Sequence, residues 1–391
     1  MPAAPPPIAG HCDPRFERVR ETFAMNFAVH EEVGAAVCIR VGERCVVDLH
    51  GGYADEARTR PWREDTLVNA YSVGKGILGI LLLVSVERGE IELDAPVARY
   101  WPEFGAEGKG EVSVRMLLCH QAGMPALRER LPEGAMYDWD AMCGALAAQK
   151  PWWEPGTDHG YHVNMFGFLV GEVIHRTLGL PVGEALQQRV AGPAAGEFYY
   201  GVPDSAHDRI AELVFHTVEP RTEAEWAMAF PPTGDAEHDR MIWHAYFNPS
   251  GVSGIGQINT PEWRRAAIPS TNGHGSARGV AAIYSAFLGA DASGRPLVGD
   301  AIRAEATRIH SDGDDRVLGR PSRFGLGLQL SQPTRAIGTS ERAFGHFGNG
   351  GSLGFADPET GVAFGYVMNR PGARWQTERV TNLVEALSGC L

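Results

Sequence analysis

Apolar positions recur with changing rhythm along this chain, and each change marks an element. From Pro14 to Phe27 they fall at helical spacing, at Phe16, Val19, Phe23 and Phe27. Residues 34–41 and 44–50 are β-rich runs separated by Gly42-Glu43, which predicts a hairpin. Strand patterning returns only after Pro296, over 325–330, 343–346, 351–356 and 362–368, with Asp357-Pro-Glu-Thr-Gly361 turning between the last two. Helical patterns fill the interval: 76–87, 112–119 from near Ser113, 138–149, 165–177, 181–191 and 277–288; residues 378–387 form a closing helix. A turn and short helix are expected over 93–102. Strands at both termini with helices between them imply an α/β (α+β) fold, in which one antiparallel sheet is built from both chain ends and flanked by helices. The expected division is a discontinuous sheet domain, 1–75 with 290–391, and a mostly helical inserted domain, 76–289, that carries active-site loops.

The helix over 76–87 differs from the others in being apolar on nearly every side, which puts it in the protein centre. It opens with Asn69-Ala-Tyr-Ser-Val-Gly-Lys-Gly76. Ser72 and Lys75 stand three residues apart there, so they share a helix face without help from tertiary contacts. A serine hydroxyl is a weak nucleophile until a neighbouring amine of lowered pKa takes its proton. The helix start adds N–H groups and the positive end of a dipole, both suited to a developing oxyanion.

Composition narrows the class. The chain has 391 residues, enough for a large core, and a net charge of −13 without a Lys/Arg cluster, which argues against nucleic-acid binding. The N-terminal Met-Pro-Ala-Ala-Pro-Pro-Pro-Ile lacks the basic and apolar regions of a secretion signal and reads as a mobile leader. The longest apolar run, 77–86, is too short to cross a bilayer. A soluble, cytoplasmic protein is expected, with no membrane or nucleic-acid partner. Six cysteines lie scattered without C-x-x-C spacing; Cys38 and Cys45 could meet across the hairpin, but all six read as structural thiols.

Two further stretches supply partners for Ser72. Trp153-Glu-Pro-Gly-Thr-Asp-His-Gly-Tyr161 ends in a tyrosine ahead of an apolar helix. A phenol beside an ammonium should lose its proton more easily than in water, so Tyr161 could shuttle protons. Gly345-His-Phe-Gly-Asn-Gly-Gly-Ser-Leu-Gly354 lies on or beside a strand, where glycines admit close approach and an edge N–H can complete an oxyanion hole with that of Ser72. His120 reads as a C-terminal cap rather than a catalytic group. The aromatics Trp226, Phe230, Trp243, Tyr246 and Phe247 would either roof an apolar acyl pocket or simply pack. His159 with His162, and His238 with His244, are the candidates for a metal centre, but none shows H-E-x-x-H spacing and no metal or cofactor is expected. The one G-x-S-x-G string, Gly350 to Gly354, runs into a strand and not from strand to helix, against an α/β-hydrolase.

The order S-x-x-K, then P-G-T…Y, then H-x-G-x-x-G resembles the serine β-lactamase and penicillin-binding-protein superfamily, with the nearest likeness to family VIII carboxylesterases. Asp94-Ala-Pro-Val, Val114-Arg-Met-Leu-Leu-Cys-His-Gln-Ala-Gly123, Ser276-Ala-Arg-Gly279, Phe324-Gly-Leu-Gly327 and Gly354-Phe-Ala-Asp-Pro358 extend the likeness over nearly the whole chain. The resemblance implies Ser72 as the acylated nucleophile, Lys75 as its base or as the group tuning Tyr161, and Tyr161 as proton carrier. It places His346 where lactamases carry the lysine of K-T-G, Gly348 beside the substrate, and the second oxyanion N–H at Asn349. Three departures stand out. Gly74 replaces the usual threonine, Val163 the usual asparagine with Asn164 one place late, and His346 the lysine. They favour a serine carboxylesterase acting on small, short-chain esters over β-lactam recognition; the alternatives on the same fold are a β-lactamase, a D-alanyl-D-alanine peptidase-type amide hydrolase or an acyltransferase.

Overall fold

The computed structural model describes residues 7–215, 219–220, 225, 232–289, 296–373 and 375–391. Three N-terminal strands, β1 (Ile8–Cys12), β2 (Gly34–Val41) and β3 (Arg44–Gly52), start the main sheet. Three two-residue strands, β4 (Val68–Asn69), β5 (Phe198–Tyr199) and β6 (His274–Gly275), form a small sheet of their own. The main sheet then takes β7 (Ser311–Asp314), β8 (Pro321–Phe324), β9 (Gln329–Leu330), β10 (Phe344–Phe347), β11 (Leu353–Asp357) and β12 (Val362–Met368). Its order is β1-β3-β2-β12-β11-β10-β9-β8-β7, antiparallel throughout. The two chain ends meet where β2 pairs with β12, from Val41 opposite Val362 to Ala35 opposite Met368. This is the single antiparallel sheet built from both chain ends that the strand pattern implies, and the β-lactamase/transpeptidase-like architecture that the resemblance implies.

Alternation of side chains gives the sheet two packed faces. On one, the Glu17–Val29 and Glu378–Ser388 helices cover Val37, Ile39, Phe347, Phe355 and Phe364. A buried ion pair there, Arg379 Nη1 to Glu32 Oε1 at 2.7 Å, ties the last helix to the chain entering β2. The other face carries the Ala277–Leu288 helix, which the sequence pattern grouped with the helical region, and the Val73–Glu87 helix. Every residue from Val73 to Ser85 is buried, as its unbroken apolar pattern requires. Its glycines set how closely it packs. A Cβ at Gly79 would lie 2.9 Å from Gly327 Cα, and one at Gly76 would fall on the Tyr284 hydroxyl and 3.2 Å from His346 Cβ.

Several elements escape the sequence pattern. The leader's last residue, Ile8, opens β1, whereas residues 1–6 lie outside the described residues. Strands β7 and β8 carry Gly, Pro, Ser and charged residues because they close a sheet edge, where polarity guards against further pairing. The strand expected over 325–330 shrinks to Gln329–Leu330, since the N–H groups of Leu326 and Gly327 turn away to Ala306 O and Leu118 O, each at 2.9 Å. The Ala236–Phe247 helix occupies a stretch without clear periodicity, and Asp235 caps it by accepting from the N–H groups of Glu237 and His238.

The glycine contacts predict opposite effects for one substitution at two sites. Gly144 sits exposed in the Trp139–Ala148 helix with nothing within 4 Å of an added Cβ. Gly144→Ala should stabilise by about 0.5–1 kcal/mol, whereas overpacking in Gly76→Ala should destabilise by about 1–3 kcal/mol. Urea unfolding of both variants checks this, and equal midpoints would contradict the packing account.

Candidate active site

Ser72 is placed by the small sheet. Strand β4 holds Val68–Asn69 against β6, and Ala70 N–H donates to Gly273 O at 2.8 Å. Asn69 is clamped further, its Nδ2 donating to Thr271 O at 2.9 Å and its Oδ1 accepting from Trp263 Nε1 at 3.1 Å. The chain then reverses through Tyr71, whose φ of 50° lies in the left-handed region that side chains rarely adopt. That turn leaves Ser72 at the N-cap of the buried helix, partly exposed, with no side-chain capping bond to occupy its hydroxyl.

Lys75 lies one turn on, fully buried. Its Nζ is 2.9 Å from Ser72 Oγ and donates to Ser270 O at 2.8 Å. No carboxylate pairs with it among the described residues, and burial drives its pKa well below the ordinary lysine range. The amine that faces the serine hydroxyl is thus pushed toward its neutral form. The glycine at position 74 fits the crowding here, because a Cβ would lie 2.7 Å from Pro269 O, and the Tyr200 hydroxyl donates to Gly74 O.

Tyr161 is equally buried, with its ring centroid 4.9 Å from Lys75 Nζ. The expectation that an ammonium would ease its ionisation is wrong. Burial raises its pKa well above the ordinary range, so the resting group is a phenol beside an amine. Phe324 stacks on the ring at 5.8 Å and Trp375 meets it edge-on at 5.2 Å. Asp315, which the sequence gave no reason to single out, fixes the backbone. Its Oδ1 accepts from Tyr161 N at 3.0 Å and from Val317 N and Leu318 N at 2.9 Å, and its Oδ2 from Ser322 Oγ at 2.7 Å.

His346 comes in from β10. Its Nδ1 lies 2.7 Å from Phe347 O, and a carbonyl only accepts, so Nδ1 bears the hydrogen and Nε2 presents a lone pair 3.5 Å from the Tyr161 hydroxyl. Burial lowers its pKa to about 3, leaving it neutral near neutral pH. Gly348 packs against Ala70 O, where a Cβ would not fit, but its N–H is already given to Ser352 O at 2.7 Å. It therefore permits close approach and is not a donor. The N–H groups of Ser72 and Asn349 donate to no carbonyl among the described residues.

Other flagged residues have other work. His120 caps its helix as expected, through the backbone: at a φ of 64° it donates its N–H to Leu117 O at 3.3 Å, while its side chain packs under Tyr161 at 5.0 Å between rings, its Nδ1 accepting from His162 N at 3.2 Å. Asn164 ties loops together outside the lysine's reach, donating to Ala245 O at 2.8 Å and accepting from Thr271 Oγ1 at 2.9 Å. The histidines considered for a metal are spoken for: His159 meets Ser322 Oγ, His162 donates to Gly160 O, His238 meets Arg316 O and His244 meets Leu127 O. Trp243, Tyr246 and Phe247 share the Ala236–Phe247 helix, with Tyr246 against the Tyr161 cluster, while Trp226 and Phe230 lie outside the described residues. Among the described residues no helix is long and apolar enough to cross a membrane.

This fold, with serine, lysine and tyrosine gathered at the start of its central helix, is that of a serine hydrolase. Residues 21–386 match the Beta-lactamase family, and the chain belongs to it. The solved structure of a family VIII carboxylesterase is similar with a TM-score of 0.86 and 37% identity, covering 98% of this chain and 100% of that one. A penicillin-binding protein homolog from Caulobacter crescentus is similar with a TM-score of 0.87 and 36% identity over the same shares, 98% and 100%. Esterase/beta-lactamase LipL of Mycobacterium tuberculosis is 32% identical over 368 residues, 93% of this chain and 83% of the relative.

The buried amine carries a stability consequence. In the unfolded chain Lys75 returns to a pKa of about 10.4, while the native group titrates well below that. Between the two values the unfolded state binds one more proton, so this group makes stability rise with pH. Lys75→Met removes the penalty. Its urea midpoint should exceed wild type at neutral pH, with the gap closing as pH approaches about 10.4, and a midpoint at or below wild type throughout would refute the lowered Lys75 pKa.

Proposed function

We propose that the protein is a serine carboxylesterase that hydrolyses short-chain esters through an acyl-enzyme on Ser72. The observation that carries this reading is the buried Lys75 amine, 2.9 Å from Ser72 Oγ and paired with no carboxylate among the described residues. In the first half-reaction Lys75 takes the Ser72 proton as Oγ bonds to the ester carbonyl carbon. The Ser72 and Asn349 N–H groups hold the oxyanion. As the carbon–oxygen bond of the alcohol breaks, Tyr161 gives its proton to the departing alkoxide and regains one from the Lys75 ammonium, leaving both groups neutral. Water then repeats the sequence on the acyl-enzyme. A phenol of raised pKa suits the donor role better than the base role, and the His346 lone pair can orient its hydroxyl.

His346 also separates esters from lactams. A lactam or D-alanyl peptide carries a carboxylate, and an imidazole that stays neutral to about pH 3 gives it no charge to meet. A charge-assisted hydrogen bond exceeds a neutral one by about 1 kcal/mol or more, so the handicap from this position is roughly tenfold. The names of the similar carboxylesterase and of LipL, which joins esterase with beta-lactamase, agree with an ester-cleaving site. The same reading puts the enzyme in the cytoplasm, where free thiols such as its six cysteines persist.

A panel of p-nitrophenyl esters of rising chain length, run beside nitrocefin, tests the assignment. Short esters should be hydrolysed far better than nitrocefin, and His346→Lys should move the ratio toward the lactam; a nitrocefin kcat/KM equal to that of the best ester would replace the esterase reading with a lactamase one. Ser72→Ala should lower kcat by roughly 10⁴-fold or more. Lys75→Ala and Tyr161→Phe should each cost similar amounts and, combined, little more, because they act as one unit. Additive losses would break that coupling, and a phosphonate adduct on a residue other than Ser72 would discard the nucleophile.

A further inference from the structure

Beside the catalytic tyrosine lies a cavity of about 440 Å³ whose charge the reaction just described does not use. Two of its walls, Phe324 and Trp375, are the rings that touch Tyr161, and a third, Phe347, directly follows His346. Three arginines line it: Arg320, Arg323 and Arg335. Arg320 is half-buried and makes no ion pair among the described residues; its guanidinium stacks 5.0 Å from the Trp375 ring centroid. The nearest carboxylate, Asp315, is committed to Tyr161, Val317, Leu318 and Ser322. Arg335 reaches only a carbonyl, Pro321 O, at 3.4 Å. Arg323 pairs with Asp312 at 2.9 Å and donates to Ser331 O at 3.1 Å, yet its buried Nε has no partner.

Arg320 and Arg335, which line one cavity and form no ion pair among the described residues, leave room for a ligand that brings a negative charge. Planar forked donors between aromatic walls match a carboxylate on an apolar or aromatic arm. The volume is at the small end for ligand sites, enough for one arm of a small molecule and too little for a polymer. We propose that this cavity binds a free carboxylate carried by the substrate, so that the preferred esters are half-acids. The positive charge missing at His346 is supplied next door, beyond the Tyr161 ring, which leaves the reacting centre uncharged while selecting an anionic substrate. This inference rests on the esterase reading for its substrate class, though not for the binding itself.

The test pairs each acid with its neutral methyl ester. On the acyl side, p-nitrophenyl hemiglutarate is compared with its methyl ester; on the alcohol side, 4-acetoxybenzoate is compared with methyl 4-acetoxybenzoate. The acid should win by about tenfold in kcat/KM on one of the two sides, which identifies the arm that enters the cavity. The preference should come from KM, weaken with rising salt, fall about tenfold in Arg320→Gln and Arg335→Gln, and be partly restored in Arg335→Lys. Independently of turnover, benzoate should quench tryptophan fluorescence in Ser72→Ala and lose that effect in Ser72→Ala/Arg320→Gln. Neutral esters preferred on both sides, or benzoate binding unchanged by the arginine substitutions, would overturn the proposal. If the wild-type enzyme cleaved no ester, the esterase reading would fall while the benzoate titration still decided this one.

Discussion

The interaction on which the rest depends is the contact between Ser72 and the buried Lys75 amine, which pairs with no carboxylate among the described residues. Water or a carboxylate near Lys75 would restore its proton and remove the base, so the surroundings must be dry and uncharged. The helix that carries it is apolar on all sides for that reason, and glycines at 76 and 79 let the sheet and the Gly327 turn close over it. One burial thus acts on three titratable groups at once. It moves lysine and histidine down and tyrosine up, each toward its neutral form. Burial works against charge on every one of these groups.

What the sequence disclosed follows from the range of each interaction. Ser72 and Lys75 are three residues apart on a helix, and nothing distant is needed to join them. Tyr161 and His346 were legible through the loop and glycine patterns around them and through family order. Asp315 and Ser270 were not, because they act on backbone groups of segments far away in sequence: an Asp-Asp pair reads as a solvated loop, and a carbonyl acceptor has no signature. The small sheet beneath Ser72 is built from two-residue strands, too short for any periodicity. The resemblance already puts the donor at Asn349 and not Gly348, and the local geometry agrees. The turn to Ser352 O consumes one N–H and leaves the other.

The strained turn at Tyr71 shows how local preference yields to surroundings. An isolated tyrosine would leave a φ of 50°, but the pairing of β4 with β6 and the bond from Ala70 to Gly273 hold the chain on both sides. The nucleophile's position is therefore set by residues 270–275 as firmly as by its own helix. Asp315 does the same for Tyr161. The geometry of the candidate site is fixed from behind, by segments that hold its backbone.

The seam where β2 pairs with β12 also governs when this enzyme comes into existence. A ribosome making the chain releases β2 with one edge bare, and the partner for that edge arrives roughly 320 residues later, opposite Val41 at Val362. At about 5–20 residues per second the wait is roughly 15–60 s. During it the emerging chain carries an apolar strand edge open to the wrong neighbours, a task for chaperones. It also has no His346, so a half-made or prematurely ended chain has an incomplete site, and the molecule becomes a hydrolase only when its last strands close the sheet.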